Sequence, residues 1–428
     1  MQILKIQGPT VLNGKVSVQG SKNAVLPMMA AAVINEDVTV IDGCPDISDV
    51  HDAMDILRAI GCSAEYNGGK LTIDSSGPIN PYIPCKLMNR IRASIIFTGA
   101  LLARCGSFRV SHPGGCNIGL RPIDIHTDAM KELGALVDYT ESEIICKADK
   151  LKSCDVSFRF PSVGATENIM ILASAIPGKT RIVNAAREPE ITDLGNMLIA
   201  MGAKVSGAGS TVITIEGTSS FNKVNYKVMP DRVDTATYLS AVCTMGGKLT
   251  IENADASHLG RYINILRRCG AHIDINDKTI VAEKINRLKG GINVATAPYP
   301  GFATDMQSLI MTVFSLSDGV SVIKENIFEN RFCLASALQE MGADIRIYGQ
   351  GASLRGVRSL KSVSAPVCDL RSGAALAIAM MAAEGTSYLS RVRFIDRGYE
   401  CFEDKFIAVG AHIERIECTN AQSKELGS

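Results

Sequence analysis

Six times along the chain an apolar stripe at helical spacing runs into a glycine and then into an alternating, strand-like segment. The six junctions read AIGCSAEY, ELGALVDY, AMGAKVSG, RCGAHIDI, EMGADIRI and AVGAHIER, centred on Gly61, Gly134, Gly202, Gly270, Gly342 and Gly410. Successive glycines lie 73, 68, 68, 72 and 68 residues apart, and so steady a period marks an internal repeat. Glycine at such a place ends a helix in the left-handed conformation that it adopts without strain. Before Gly61 the stripe is Ile47, Val50, Met54 and Leu57, one face of a helix.

A second helical segment, richer in alanine, opens each unit: NAVLPMMAAAVI, RASIIFTGALLA, ATENIMILASAI, TATYLSAVCTM, DMQSLIMTVFSL and SGAALAIAMMAA. Helices apolar on most faces belong inside a domain. Short β-branched runs, LTI (71–73), TRIV (180–183), KLTI (248–251) and VSVI (320–323), separate them. Each unit therefore holds two helices and several short strands, an α/β pattern. Six units divide into two domains of three, with the boundary near the Pro230-Asp231 turn. The N-terminal strands lack a partner in the first unit and are expected to pair with the last. That makes one domain 22–229 and the other a discontinuous 1–21 plus 230–428.

Composition narrows the class. The 428 residues suffice for two or three domains. Lys plus Arg and Asp plus Glu each total 44, so no general attraction to nucleic acid or anionic membrane is expected. The longest apolar run, Ala24 to Ile34, is far shorter than the roughly 20 residues of a spanning helix. The N-terminus opens with the alternating MQILKIQGP rather than a cleavable leader. Thirteen cysteines without a C-x-x-C pair point to a reducing cytoplasm and to thiols used as small core residues. Structural zinc is not expected, because no paired Cys/His spacing occurs.

Residues that break the repeat carry the candidate chemistry. In GSKNAVLP, Lys22 and Asn23 precede Pro27 at the start of a buried helix, with Ser and Pro taken to fix that start. Lys22 is either a solvated lysine or, with the helix N–H groups, an anion site. Arg92, Arg121, Arg331, Arg371 and Arg397 stand at helix entries or in loops. Their planar donor forks suit carboxylate and phosphate. Asp305, in GFATDMQ before an apolar helix, is either an N-cap or a general base. Cys116 follows Pro113-Gly114-Gly115. It is either an inert core thiol or a reactive one on a mobile loop, tuned by neighbouring charge.

Taken together, GSKNA, RASI, PGGC-x-IG-x-RP-x-D-x-H, SVGAT, AAREPEI, PDR-x-D-T, TDMQ, FENRF, DLR and DRGYE occur in this order over nearly the whole chain. In this the sequence resembles the enolpyruvyl transferases of the EPSP synthase superfamily, and specifically their nucleotide-sugar branch. The resemblance implies two domains, each of three βαβαββ units, forming an inside-out α/β barrel with the active site in the cleft between them. It implies transfer of the enolpyruvyl group of phosphoenolpyruvate to the 3′-hydroxyl of UDP-N-acetylglucosamine through a tetrahedral ketal. That reaction is the first committed step of peptidoglycan synthesis.

By the same resemblance Cys116 is the general acid and Asp305 the base candidate, with Lys22 and Arg397 also catalytic. Lys22, Asn23, Arg121 and Arg397 match positions around phosphoenolpyruvate, with Arg331 and Arg371 on its carboxylate side. Arg92, Arg121, Pro122, Ile123, Asp124, Ile125, Ser162, Val163, Gly164, Asp305 and Ile327 match the nucleotide-sugar contacts. Where some members carry a lysine two residues before the Ser-Val-Gly segment, this chain has Phe160. Neither metal nor organic cofactor is implied. Two other readings remain: the sister transfer to shikimate 3-phosphate, and an inactive paralogue that binds the nucleotide sugar and regulates.

Overall fold

The computed structural model describes residues 2–114, 119 and 122–417. Contacts divide the chain into two compact units. Among the described residues, one (the 20–229 unit) comprises residues 20–114 and 122–229; the other joins the residues up to Gln19, and Gly119, to the chain from Pro230 onward.

Each unit contains three four-stranded sheets. In each, two neighbouring strands are parallel and the remaining pairings antiparallel, as in the sheet that pairs Val224–Lys227 with Val38–Asp42. Val38–Asp42, Ser107–Ser111 and Gly178–Val183 are central strands in the 20–229 unit. Gly247–Glu252, Val320–Lys324 and Gly385–Ser390 take that place in the discontinuous unit. The N-terminal strand Gln2–Gly8 lies between Gly385–Ser390 and His412–Glu417 of the last repeat, pairing antiparallel with both. The second strand, Leu12–Ser17, does not follow it; it pairs parallel with Gly247–Glu252 of the fourth repeat.

The alanine-rich segments are the buried helices. Lys22–Ala31, Phe97–Cys105 and Val163–Ser174 pack against one another within one hydrophobic core. Arg232–Met245, Gln307–Leu316 and Leu370–Ala382 do so in the second core. Small residues permit close helix approach. At Gly99 the backbone N–H donates to Asn168 Oδ1 at 2.6 Å, and a Cβ there would lie 2.2 Å from that oxygen. The six repeat glycines have φ between +94° and +113°, which L side chains adopt only with strain. Each ends the second helix of its unit, as the spacing predicts.

The helix start at Lys22 differs from the sequence expectation. Pro27 lies inside Lys22–Ala31 rather than at its first turn. Having no N–H, it leaves the Asn23 carbonyl without an i+4 donor.

Candidate active site

In each unit, candidate residues stand at the starts of the buried helices. Lys22 opens the first. Arg92 begins the short turn Arg92–Ile96 that leads into the second. Ser162 caps the third, accepting from the Ala165 N–H at 3.3 Å. Asp231 caps the fourth, whose first residue is Arg232. Asp305 lies in the turn Thr304–Met306 before the fifth. Asp369 caps the sixth, accepting from the N–H groups of Arg371 and Ser372 at 2.9 and 3.1 Å. Helix starts leave backbone N–H groups unmatched and carry the positive end of the dipole, so each favours an anion.

In the discontinuous unit three of these starts converge. Asp305 Oδ1 accepts from Arg331 Nη2 at 2.5 Å, and Oδ2 from Arg371 Nε and Nη2, each at 3.2 Å. Asp305 is not an N-cap: no side-chain cap hydrogen bond forms at this helix entry, and its carboxylate is spent on the two guanidiniums. Burial alone would raise its pKa. The charges of Arg371, Arg331 and Arg232 outweigh that and hold the carboxyl well below the usual range.

Both arginines are almost fully buried. Arg331 also donates from Nε to Thr304 Oγ1 at 3.3 Å and pairs through Nη1 with Asp369 at 3.5 Å. The Arg371 guanidinium carbon lies 5.8 Å from the Tyr399 ring centre. Its Nη1 is buried without a hydrogen-bond partner among the described residues, a donor available to a bound anion.

Behind this cluster lies a carboxylate that sequence patterns did not flag. Glu325 is fully buried and accepts from Thr296 Oγ1, Thr304 Oγ1 and the N–H groups of Ile327 and Phe328, at 2.8 to 3.2 Å. It ties the Ile327 turn to the residue beside Asp305. Arg397 follows the short helix Arg393–Asp396 and is half-buried.

The 20–229 unit pairs its charges differently. Lys22 is not solvated: its Nζ lies 2.6 Å from Asp49 Oδ2, and the two side chains are 10 % and 3 % exposed. Arg92 Nη1 donates to the Pro113 carbonyl at 3.2 Å. Asp124 accepts from the Ile125 N–H at 2.9 Å and from Arg159 Nη2 at 2.6 Å. The bond to Arg159 lowers the Asp124 pKa. Ile125 is buried, Ile123 half-buried and Pro122 exposed. Val163 and Gly164 form the first turn of their helix, where a Cβ at Gly164 would touch the His126 ring.

His126 Nδ1 faces Asn168 Nδ2 at 3.0 Å. Phe160 is exposed, and its neighbour Arg159 is engaged with Asp124. Cys116 and Arg121 lie outside the described residues. Asn23 and Ile327 stand beside Lys22 and Glu325 respectively, each half-buried.

Among the described residues no group of three or more His, Cys, Asp or Glu is placed to hold a metal ion. Nor, among them, is any helix long and apolar enough to cross a membrane.

The chain belongs to the EPSP synthase (3-phosphoshikimate 1-carboxyvinyltransferase) family, whose model matches residues 6–406. Within it, the chain is 41 % identical to the UDP-N-acetylglucosamine 1-carboxyvinyltransferase of Nitratidesulfovibrio vulgaris, over 97 % of this chain and 99 % of that protein. It is 42 % identical to UDP-N-acetylglucosamine 1-carboxyvinyltransferase 2 of Caldanaerobacter subterraneus subsp. tengcongensis, over 96 % and 99 %. The fold matches the enolpyruvyl transferase NikO of Streptomyces tendae with a TM-score of 0.89 at 23 % identity, covering 98 % and 99 % of the two chains. It matches the EPSP synthase of Acinetobacter baumannii at 0.74 and 18 %, covering 97 % and 100 %.

Proposed function

We propose that this enzyme moves the enolpyruvyl group of phosphoenolpyruvate to the 3′-hydroxyl of UDP-N-acetylglucosamine and releases phosphate, opening cytoplasmic peptidoglycan synthesis. The observation that carries the reading is the Asp305 carboxylate shared between two buried arginines, in a chain 41 % identical to enzymes named for this reaction.

The chemistry has two halves. The sugar oxygen adds to C2 of phosphoenolpyruvate while C3 gains a proton. The ketal then loses that proton and phosphate, which restores the double bond. Asp305 is the base for the hydroxyl. While Arg331 and Arg371 hold it, its basicity is low. The carboxylate of phosphoenolpyruvate competes for those guanidiniums, so substrate binding both places the anion and returns basicity to Asp305. Cys116 donates the proton to C3. Lys22, Asn23, Arg121 and Arg397 hold the phosphate side, and developing charge is stabilised by these cations.

The nucleotide sugar lies along Arg92, Arg121 to Ile125, Ser162 to Gly164, Asp305 and Ile327, with the uracil against Pro122, Ile123 and Ile125. The helix start after Ser162 offers backbone N–H groups to the diphosphate. With Phe160 at the position where some relatives have lysine, this dipole replaces a side-chain cation.

The family's own name suggests a second acceptor, shikimate 3-phosphate. Phosphate release from phosphoenolpyruvate is therefore measured with each acceptor separately. Release that needs UDP-N-acetylglucosamine and disappears in Cys116→Ser supports the reading. Release only with shikimate 3-phosphate overturns the acceptor. Silence with both, despite nucleotide-sugar binding, leaves a regulatory binding protein.

A further inference from the structure

Gln19 is the last residue before the chain leaves the discontinuous unit, and no sequence motif singled it out. It is 5 % exposed and uses four polar groups. Its backbone N–H donates to Asp234 Oδ2 at 3.2 Å, and its carbonyl accepts from the Asp231 N–H at 2.9 Å. Its side-chain Nε2 donates to the Gly398 carbonyl at 2.9 Å, and Oε1 accepts from the Glu400 N–H at 2.8 Å. One carboxamide thus grips both ends of Gly398-Tyr399-Glu400, as a neighbouring strand would. The partners fix which end is oxygen, since a carbonyl and an N–H face it from opposite sides.

Two candidate cations depend on this three-residue segment. Arg397 immediately precedes it. Tyr399, in its middle, donates to or accepts from Thr237 Oγ1 at 2.9 Å and lies over Arg371. The backbone of Gln19 is in turn fastened to the start of the Arg232–Met245 helix through Asp231 and Asp234. Burial of an amide is favourable only when its bonds are made, and here both ends of the amide are engaged.

We propose that Gln19 is a positioning residue for phosphoenolpyruvate: its carboxamide clamps residues 398–400 and thereby sets where Arg397 and, through Tyr399, Arg371 meet the substrate's anionic groups. The inference rests on the proposed enolpyruvyl transfer. It adds a residue that touches no substrate, at the point where the chain passes to the other unit. Small misplacements of a charge-binding group cost large factors in rate, so loss of the clamp is felt in catalysis before it is felt in folding.

Two variants separate the readings. Gln19→Met keeps the length and loses both side-chain bonds. Gln19→Glu keeps the acceptor for the Glu400 N–H and loses the donor to Gly398. KM for each substrate, kcat, inhibition by inorganic phosphate and the melting temperature are measured for both. The clamp predicts that Gln19→Met raises KM for phosphoenolpyruvate and weakens phosphate inhibition, each by roughly tenfold. KM for UDP-N-acetylglucosamine stays near that of the wild type, and Gln19→Glu falls between.

Unchanged phosphoenolpyruvate and phosphate constants in the folded variants overturn the inference while leaving the proposed function standing. So does an equal loss for both substrates that follows melting temperature, which marks a merely structural role. If Gln19→Met does not fold, a Gln19→Glu enzyme with wild-type phosphate inhibition overturns it as well. A wild-type enzyme inactive with both acceptors sinks the underlying reading, and the inference with it.

Discussion

In the 20–229 unit a cation at a helix start meets a carboxylate from another helix: Lys22 lies 2.6 Å from Asp49, and both are buried. In the discontinuous unit one carboxylate serves two guanidiniums, with Arg232 as a third charge acting on it. The same repeat therefore carries a buried ion pair in one place and, in the other, a carboxylate shared between guanidiniums, one of which also meets Asp369. The first arrangement holds a lysine in a fixed place. The second leaves Arg371 Nη1 buried without a hydrogen-bond partner among the described residues, a donor that an anion can take up. The difference teaches that the fold fixes where a group stands, while the count of partners fixes whether it is free to act.

Acid groups follow the same divide. Glu167, buried within the third helix, has its pKa raised well up by burial and then by Glu190 and Glu188. Asp305 is pushed the opposite way. A carboxyl raised on folding stabilises most below its unfolded pKa, about 4.3 for Glu, and loses that contribution as pH rises through the folded value. A depressed carboxyl contributes above its unfolded pKa, about 3.9 for Asp, and loses it as pH falls through the folded value.

The largest expected effect breaks the cation-rich side. Asp305→Asn removes the proposed base and the shared anion, and kcat falls by about 10²–10⁴-fold, checked by steady-state phosphate release. A fall of less than tenfold assigns the base elsewhere. Next comes the matched pair. Lys22→Met removes the cation from beside the buried Asp49 and lowers unfolding free energy by about 3–5 kcal/mol in urea titrations. Adding Asp49→Asn should restore much of that stability without restoring activity; additivity of the two losses would contradict the pairing. The smallest effect is in pH. Glu167→Gln should raise the melting temperature at pH 7 and flatten its decline between pH 5 and 7, whereas an unchanged slope would place the titration elsewhere.

Much of the fold was legible because it rests on local rules. The glycine period follows from helix termination, and all six glycines have positive φ. The alanine-rich segments read as buried helices because no polar face interrupts them. What stayed hidden depends on partners far along the chain. That Asp305 is not a cap depends on Arg331 and Arg371, 26 and 66 residues away, which engage its carboxylate. The buried pairing of Lys22 stayed hidden because Asp49 belongs to another helix. Pro27 misled the helix start because a proline inside a buried helix is tolerated only where packing compensates. The pairing of Leu12–Ser17 with the fourth repeat, the Glu325 network and the Gln19 clamp had no periodic signal at all. Of the site itself, residue types and order were visible, but not that the arginines hold the Asp305 carboxyl down.

That restraint on Asp305 is the central claim, and pH–rate profiles test it most directly. The acid limb of kcat/KM for phosphoenolpyruvate reports the free enzyme, and that of kcat the substrate-bound one. The account predicts an acid limb in kcat at higher pH than in kcat/KM, as the arginines turn from Asp305 to the substrate, with the limb in kcat absent from Asp305→Asn. Limbs at the same pH in both profiles, or one that survives that substitution, would contradict it.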